Sequence, residues 1–238
     1  MRTVFISLFI LLFSNTFGQI VMSGQPEKKA PKKDTTILFY VEGQYGISFR
    51  SLFPNPDFLN TPLGQRASEE SIKLYSYQLG ITLPITPALQ INTGLGMFQN
   101  GEQYSWQSSE NDSSFHYESR YRYFGMPVQL QLQHGKSLKF QIAGGLLPQL
   151  IQSYTQDQSW TNALGSKGTY TDKQRTGKET FILSAIANAG FHYQFKSQLG
   201  LRLGVSYRRQ LTNTYIKYAD YIHKSRNWGG YLGLTFRF

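Results

Sequence analysis

Cysteine is absent from the 238 residues. That excludes a disulfide framework, a thiolate metal site and a lipid-modified amino-terminal cysteine. Charge is also scarce: Asp, Glu, Lys and Arg together make up 16% of the chain, low for a soluble surface. Acids are scarcer than bases, 14 against 24, and the formal net charge is +10. No apolar run reaches the ~20 residues that a helix needs to cross a bilayer. The four histidines, His116, His134, His192 and His223, show no metal-ligand spacing. No G-x-S-x-G motif marks a hydrolase nucleophile. These absences predict no catalytic, cofactor or metal site.

Aromatic residues, by contrast, are plentiful at 15%, with 16 Tyr and 17 Phe, alongside 22 Gly. The amino terminus begins with Arg2, an apolar core from Val4 to Phe13 and a small, polar tail from Ser14 to Gly18. This is the pattern of a secretory signal peptide, residues 1–19, cleaved after Gly18 or Gln19. Residues 20–36 hold two prolines and four lysines without periodicity and read as a flexible periplasmic tether. A Lys-rich run can mean nucleic acid, but an exported protein rarely meets any, so no nucleic-acid partner is expected. An exported chain without a helical anchor is either released or inserted as a closed barrel, because only helices and closed barrels satisfy their backbone in lipid.

From residue 37 onward the sequence alternates apolar with small or polar residues, the two-residue period of a strand. Eight such stretches are predicted: Ile37–Phe49, Lys73–Leu83, Ala88–Tyr104, Phe115–Gln133, Leu138–Tyr154, Glu179–Phe195, Leu199–Leu211 and Asn227–Phe238. The fourth has its tyrosines Tyr117, Tyr121 and Tyr123 on one parity and Met126, Val128, Leu130 and Leu132 on the other, which predicts a bulge near Gly125 and Pro127. Connections alternate long and short. An even strand count with short turns at one end and long loops at the other is the layout of a transmembrane barrel. The expected fold is therefore all-β: an eight-stranded antiparallel transmembrane up-and-down barrel over residues 37–238, in the cell outer membrane. The parity alone does not separate it from a soluble, secreted lipocalin-like barrel.

The last strand ends on Leu234, Phe236 and Phe238, an apolar alternation closing on a terminal aromatic. It resembles the signal that barrel-assembly machinery reads on outer-membrane proteins. With the signal peptide, the Lys-rich tether, Y-R-Y-F-G-M-P-V-Q-L-Q-L at Tyr121–Leu132 and G-G-L-L-P at Gly144–Pro148, the chain resembles the PorT-like outer membrane protein β-barrel family of Bacteroidota. That resemblance covers residues 37–238. It implies an eight-stranded outer-membrane barrel in a family whose founding member is linked to protein secretion.

An eight-stranded lumen is just filled by side chains. Glu42, Arg202 and Arg237 point inward by parity, on strands that must be neighbours when the barrel closes. A buried charge needs a partner, so the three are expected to form an interior charge cluster, with a proton or ion path as the alternative. His192 also faces the lumen, as a hydrogen-bonded filler. Aromatic residues near strand ends, among them Tyr45, Tyr75, Tyr77, Tyr104, Trp106, Tyr121, Tyr123, Tyr154 and Tyr207, suit interfacial girdles, with a sugar- or base-stacking platform as the alternative. The basic residues Arg208, Arg209, Lys217, Lys224 and Arg226 lie in or near loop 212–226 and suit lipopolysaccharide phosphates, the alternative being a solvated basic loop. The predicted role is non-catalytic: an anchor or an accessory to an envelope or secretion machine, with recognition by external loops. The alternative function is a membrane-embedded lipid-modifying enzyme.

Overall fold

The computed structural model describes residues 36–53, 69–196, 198–216 and 222–237. The expected signal peptide, nearly all of the tether, most of loop 50–70, Lys217 and the terminal Phe238 lie outside the described residues. The strands are β1 (Leu38–Phe53), β2 (Glu69–Glu70), β3 (Ile72–Pro84), β4 (Leu89–Gln107), β5 (Ser114–Gly125) and β6 (Val128–Gly135). They continue with β7 (Leu138–Thr161), β8 (Lys167–Asp172), β9 (Phe181–Gln194), β10 (Leu199–Gln210) and β11 (Ile222–Arg237).

Every pairing is antiparallel, and the sheet closes on itself. β1 pairs with β3 on one side and with β11 on the other, in register from Leu38↔Arg237 to Phe53↔Ile222. The ladder runs from β3 to β4, then to β5 and β6, which occupy one place in the sheet, then to β7, β9, β10 and back to β11. That makes eight places around the barrel. Short turns at 85–88, 136–137 and 195–198 gather at one end, with both barrel termini. The other end carries the long connections.

The alternation resolves into inside and outside. Leu130 is 53% exposed while its neighbour Gln131 is 1% exposed. Val41, Leu79, Ile142, Phe191, Leu203 and Leu232 likewise stand outward and exposed, whereas Gln78, Asn92, Gln129, Gln141 and Asn188 are buried in the lumen. Grease outside and amides inside is the reverse of a soluble barrel. Such a continuous exposed apolar surface belongs in hydrocarbon, not in water. Strand-end aromatics support the same reading: Tyr45, Tyr75, Tyr77 and Trp228 are exposed, with Tyr45 packed on Tyr75 at 4.9 Å and Tyr207 on Trp228 at 4.4 Å between ring centroids.

The lower lumen is held together by hydrogen-bonded side chains. Thr82 donates to Asn92 at 2.7 Å, and Gln131 donates to Gln90 at 2.8 Å. Buried amides are tolerated there because they find one another. Tyr231 lies across two lumen glycines: a Cβ at Gly190 or Gly204 would sit 2.5 or 2.6 Å from its hydroxyl oxygen. Only the absence of side chains at these two facing positions lets the tyrosine lie flat.

The chain leaves this pattern at the loop end. Outward residues change from Tyr75, Leu95, Phe124, Leu150 and Trp228 to Lys73, Gln103, Arg122, Gln152 and Arg226. Inside, the amides give way to a core of Tyr121, Tyr123, Ile151, Tyr154 and Ile182, with Phe98, Leu147 and Ile186 beneath it. Above the lipid the strands therefore follow the rule of a soluble protein, apolar in and polar out. This corrects the expected phase slip in the fourth strand. Tyr117, Tyr121, Tyr123, Gln129 and Gln131 all face inward on one continuous parity, and what changes near Gly125 is which face meets grease. The ladder is interrupted at Met126 and Pro127, between β5 and β6, and a register shift opposite Arg122 and Tyr123 falls on β7.

Strands at the loop end also run further than expected. β4 continues to Gln107, β7 to Thr161 and β11 begins at Ile222, while β8 forms inside the expected loop 155–178 and pairs with β7. The apolar alternation stops where lipid stops, but cross-strand pairing does not.

Candidate functional site

The loop-end lumen holds a buried cluster of ionisable and hydroxyl side chains. Glu102, on the inward parity of β4, accepts a hydrogen bond from Tyr121 at 3.1 Å. Its other oxygen lies 3.3 Å from Nε2 of His223, and their side chains are 3% and 1% exposed. The second ring nitrogen of His223 lies 2.8 Å from the Thr214 hydroxyl, which also accepts from the Gln210 amide at 2.8 Å. The Tyr121 and Tyr215 hydroxyls are 3.2 Å apart.

Glu102 lies beyond the lipid band, since the outward residues around it are Lys73, Gln103 and Arg120. Burial by itself would raise its pKa. The adjacent His223, the Arg50 guanidinium and the Tyr121 hydroxyl outweigh that, and the carboxyl is held below its ordinary value. Lys178, in the connection between β8 and β9, places its ammonium 3.6 Å from the centre of the Tyr154 ring. Partial burial lowers its pKa, against the opposing pull of Asp172 and Glu102.

A hydroxyl, an imidazole and a carboxylate in a row have the connectivity of a nucleophile, its base and the group that orients the base. Burial decides what this one does. Thr214 is 1% exposed and Tyr121, packed against the pair, is 0% exposed, so no substrate reaches the hydroxyl in this arrangement. The cluster ties the loop before β11 to β4 and β5: the Thr214 amide donates to the His223 carbonyl, the Glu179 amide to the Thr214 carbonyl, and the His223 amide to the Asn213 side chain. It is a bolt that holds the loops over the mouth.

Below the bolt Arg208 crosses the lumen. It donates to the Gln99 carbonyl and, at 2.9 Å, to Asn100 Oδ1, with its guanidinium 5.2 Å from the centre of the Phe98 ring. Arg208 is therefore an interior strut and not the external lipopolysaccharide contact expected of it. It shares the inward parity of Arg202 and Ser206 and is 5% exposed. Arg209, Lys224 and Arg226 do face outward. Arg209 and Arg226 are ladder partners, and Lys224 stands opposite Ser51. These residues line a pocket of about 130 Å³ in which no acid takes part among the described residues. Lys217 lies outside the described residues.

The expected charge cluster of Glu42, Arg202 and Arg237 does not form as a unit. Glu42 accepts from Gln78 at 2.8 Å and Gln44 at 3.0 Å. Arg202 donates to Gln131 at 3.0 Å and lies 5.0 Å from the centre of the Tyr40 ring. Arg237 sits at the turn-end rim, donating to Thr36 at 3.0 Å. Glu42 opposes Gly233, four positions back along β11 from Arg237. Neutral amides, and not each other, are the hydrogen-bond partners of both buried charges. His192 is a lumen filler as expected, 3.0 Å from the Thr235 hydroxyl. Leu234 and Phe236 face lipid on the last strand, 50% and 39% exposed. Phe238 lies outside the described residues. Of the aromatics expected in the girdles, Tyr104, Tyr121, Tyr123 and Tyr154 are buried in the upper core instead.

The sequence does not reveal the bolt directly, because His223 falls in the expected loop 212–226. Carrying the alternation of the last strand backwards from Trp228 would have placed His223, Ser225 and Asn227 inward and Lys224 and Arg226 outward.

No protein-family model matches the sequence, and no curated protein matches it significantly. Solved barrel structures do resemble it at low identity. Neisserial surface protein A is 13% identical with a TM-score of 0.42, over 84% of this chain and 97% of its own. The outer membrane protein OprG from Pseudomonas aeruginosa is 10% identical with a TM-score of 0.43, over 86% and 97%. The outer membrane protease OmpT from Escherichia coli is 11% identical with a TM-score of 0.43, over 89% and 99%. Similarities this low transfer no function. The barrel assignment rests on the closed pairing and on the apolar exterior.

Proposed function

We propose that this protein is a small outer-membrane barrel of the PorT-like kind, exported by its signal peptide, that serves as a non-catalytic anchor or accessory subunit of an envelope or secretion machine. Its loop end then faces the cell exterior and its turn end the periplasm. The observation that carries the reading is the division of the barrel at Phe98 and Arg208. The lumen is crossed by side chains, while the external end is built out into a rigid, separately cored structure. A scaffold elaborated there is suited to recognition. The test is a pull-down from outer membranes with the full chain and with a variant in which 156–172 is replaced by a short Gly-Ser turn. The expected result is a barrel that still migrates anomalously on unheated gels but no longer retains its partner. Retention by the shortened variant would contradict the reading.

The same reading assigns Arg209, Lys224 and Arg226 to lipopolysaccharide. Like charges placed directly opposite in a sheet destabilise it, and Arg209 faces Arg226 without an acid among the pocket's lining residues. A phosphate at the membrane surface would relieve that repulsion through charge-assisted hydrogen bonds. Replacing both arginines with glutamate should abolish binding to lipopolysaccharide-containing vesicles and leave the barrel folded.

A further inference from the structure

Four strands overrun the barrel at its external end. From Met97 on β4 and Leu150 on β7, the last outward apolar side chains, to Trp106 and Trp160 is nine and ten residues. That is about 30 Å of strand, or roughly 23 Å beyond the lipid at an ordinary strand tilt of ~40°. Trp106 and Trp160 therefore stand too far out to belong to an interfacial girdle.

At that height the aromatics are aligned. Trp106 pairs with Phe115 across the ladder, and Phe115 pairs with Trp160, so the three share one face. The fourth place in the row is Gly168. A Cβ there would lie 2.3 Å from Cζ2 of Trp160, which shows the indole resting on the glycine backbone. The row is founded on a fixed aromatic base, with Tyr104 stacked on Tyr117 at 5.5 Å and Phe115 6.4 Å from Tyr104.

The strand tips enclose a cleft of about 490 Å³, within the range of small-ligand sites. Beside the three aromatics its lining is hydroxyl, amide or imidazole, including Ser105, Gln107, His116, Ser159 and Thr169, and Lys167 is its one charge. No Val, Leu, Ile or Met lines it. A protein partner's footprint is enriched in aromatic, Met and Arg side chains and depleted in Ser, whereas this lining has three serines and neither Met nor Arg, and an anion calls for more than one cation. Rigid aromatic faces interleaved with neutral donors and acceptors match a ligand with flat C–H faces and a hydroxyl rim.

We propose that this cleft binds an uncharged saccharide strand, with Trp106 and Trp160 each stacking on a sugar ring and the surrounding hydroxyl and amide groups bonding the ring hydroxyls. The proposal rests on the reading that the external end is the recognition surface.

The test is calorimetric titration of the full protein, in a detergent without a sugar headgroup, with maltohexaose, cellohexaose and chitohexaose. Saturable binding to at least one is expected. Trp106→Ala and Trp160→Ala should weaken it by roughly tenfold or more, the loss typical of a truncated aromatic anchor. Trp160→Phe should lose less, and Gly168→Val, which keeps the indole but displaces it, should weaken binding as well. Anomalous migration of each variant on unheated gels confirms the fold. No saturable heat with any of the three sugars, or undiminished affinity in both alanine variants, overturns the proposal. The same preparations are titrated with lipopolysaccharide vesicles. Failure of the sugars overturns the saccharide cleft, failure of lipopolysaccharide overturns the arginine assignment, and the external-recognition reading is overturned separately, by retention of the partner in the variant shortened at 156–172.

Discussion

Glu102 and His223 lie 121 positions apart in the chain and meet inside the external core. Removing the carboxylate leaves Nε2 of His223 buried without its partner, which typically costs about 1–3 kcal/mol. Glu102→Ala is expected to lower the unfolding free energy of the loop-end core, read from its urea midpoint and slope, by that amount while the lipid-facing band persists. The pair also predicts a pH response. The Glu102 carboxyl is held below its ordinary value because His223, Arg50 and Tyr121 outweigh its burial. A group with a lowered folded-state pKa contributes stability that is complete above the unfolded value, ~4.3 for a glutamate, and is lost as pH falls through the folded value. Protection of residues 211–216 and 222–226 against hydrogen exchange, relative to the intrinsic rate at each pH, should therefore be high at neutral pH and fall in strong acid. Equal protection at both pH values would contradict a stabilising role for the carboxylate.

Strands were legible in the sequence where they touch lipid and much less so where they leave it. The alternation of Leu79, Leu130, Ile142 and Leu232 against Gln, Asn and Gly revealed eight strands because hydrocarbon enforces it along every one of them. Beyond Met97 and Leu150 the outward face turns polar and the inward face aromatic, so the same parity carries the opposite meaning. That inversion made Tyr121 and Tyr154 read as girdle, Arg208 as a surface charge and β8 as loop. The Glu42 and Arg202 environments were hidden for another reason: their partners are uncharged amides, Gln44 and the ladder neighbour Gln78 for Glu42 and Gln131 on a distant strand for Arg202, which no charge pattern marks. One element-scale consequence concerns Tyr231. Gly204→Leu puts a side chain where the Tyr231 hydroxyl lies, and overpacking of this kind costs about 1–3 kcal/mol. The variant should refold in detergent in lower yield than wild type, scored by the folded band on unheated gels.

The described residues form a barrel with two halves whose interiors obey opposite rules, polar within lipid and aromatic above it. Because Phe98 and Arg208 cross the lumen between the halves, planar-bilayer recordings should show no large, sustained conductance, and Arg208→Ala should raise whatever leak exists. The central claim is the orientation of the faces, and the absence of cysteine allows it to be measured one position at a time. Spin labels are placed singly at 128, 129, 130, 131 and 132 in the cysteine-free background, and their accessibility is read against oxygen, which concentrates in lipid. High oxygen accessibility is expected at 128, 130 and 132 and low accessibility at 129 and 131. A reversed or uniform pattern would contradict a lipid-embedded barrel with its amides inside.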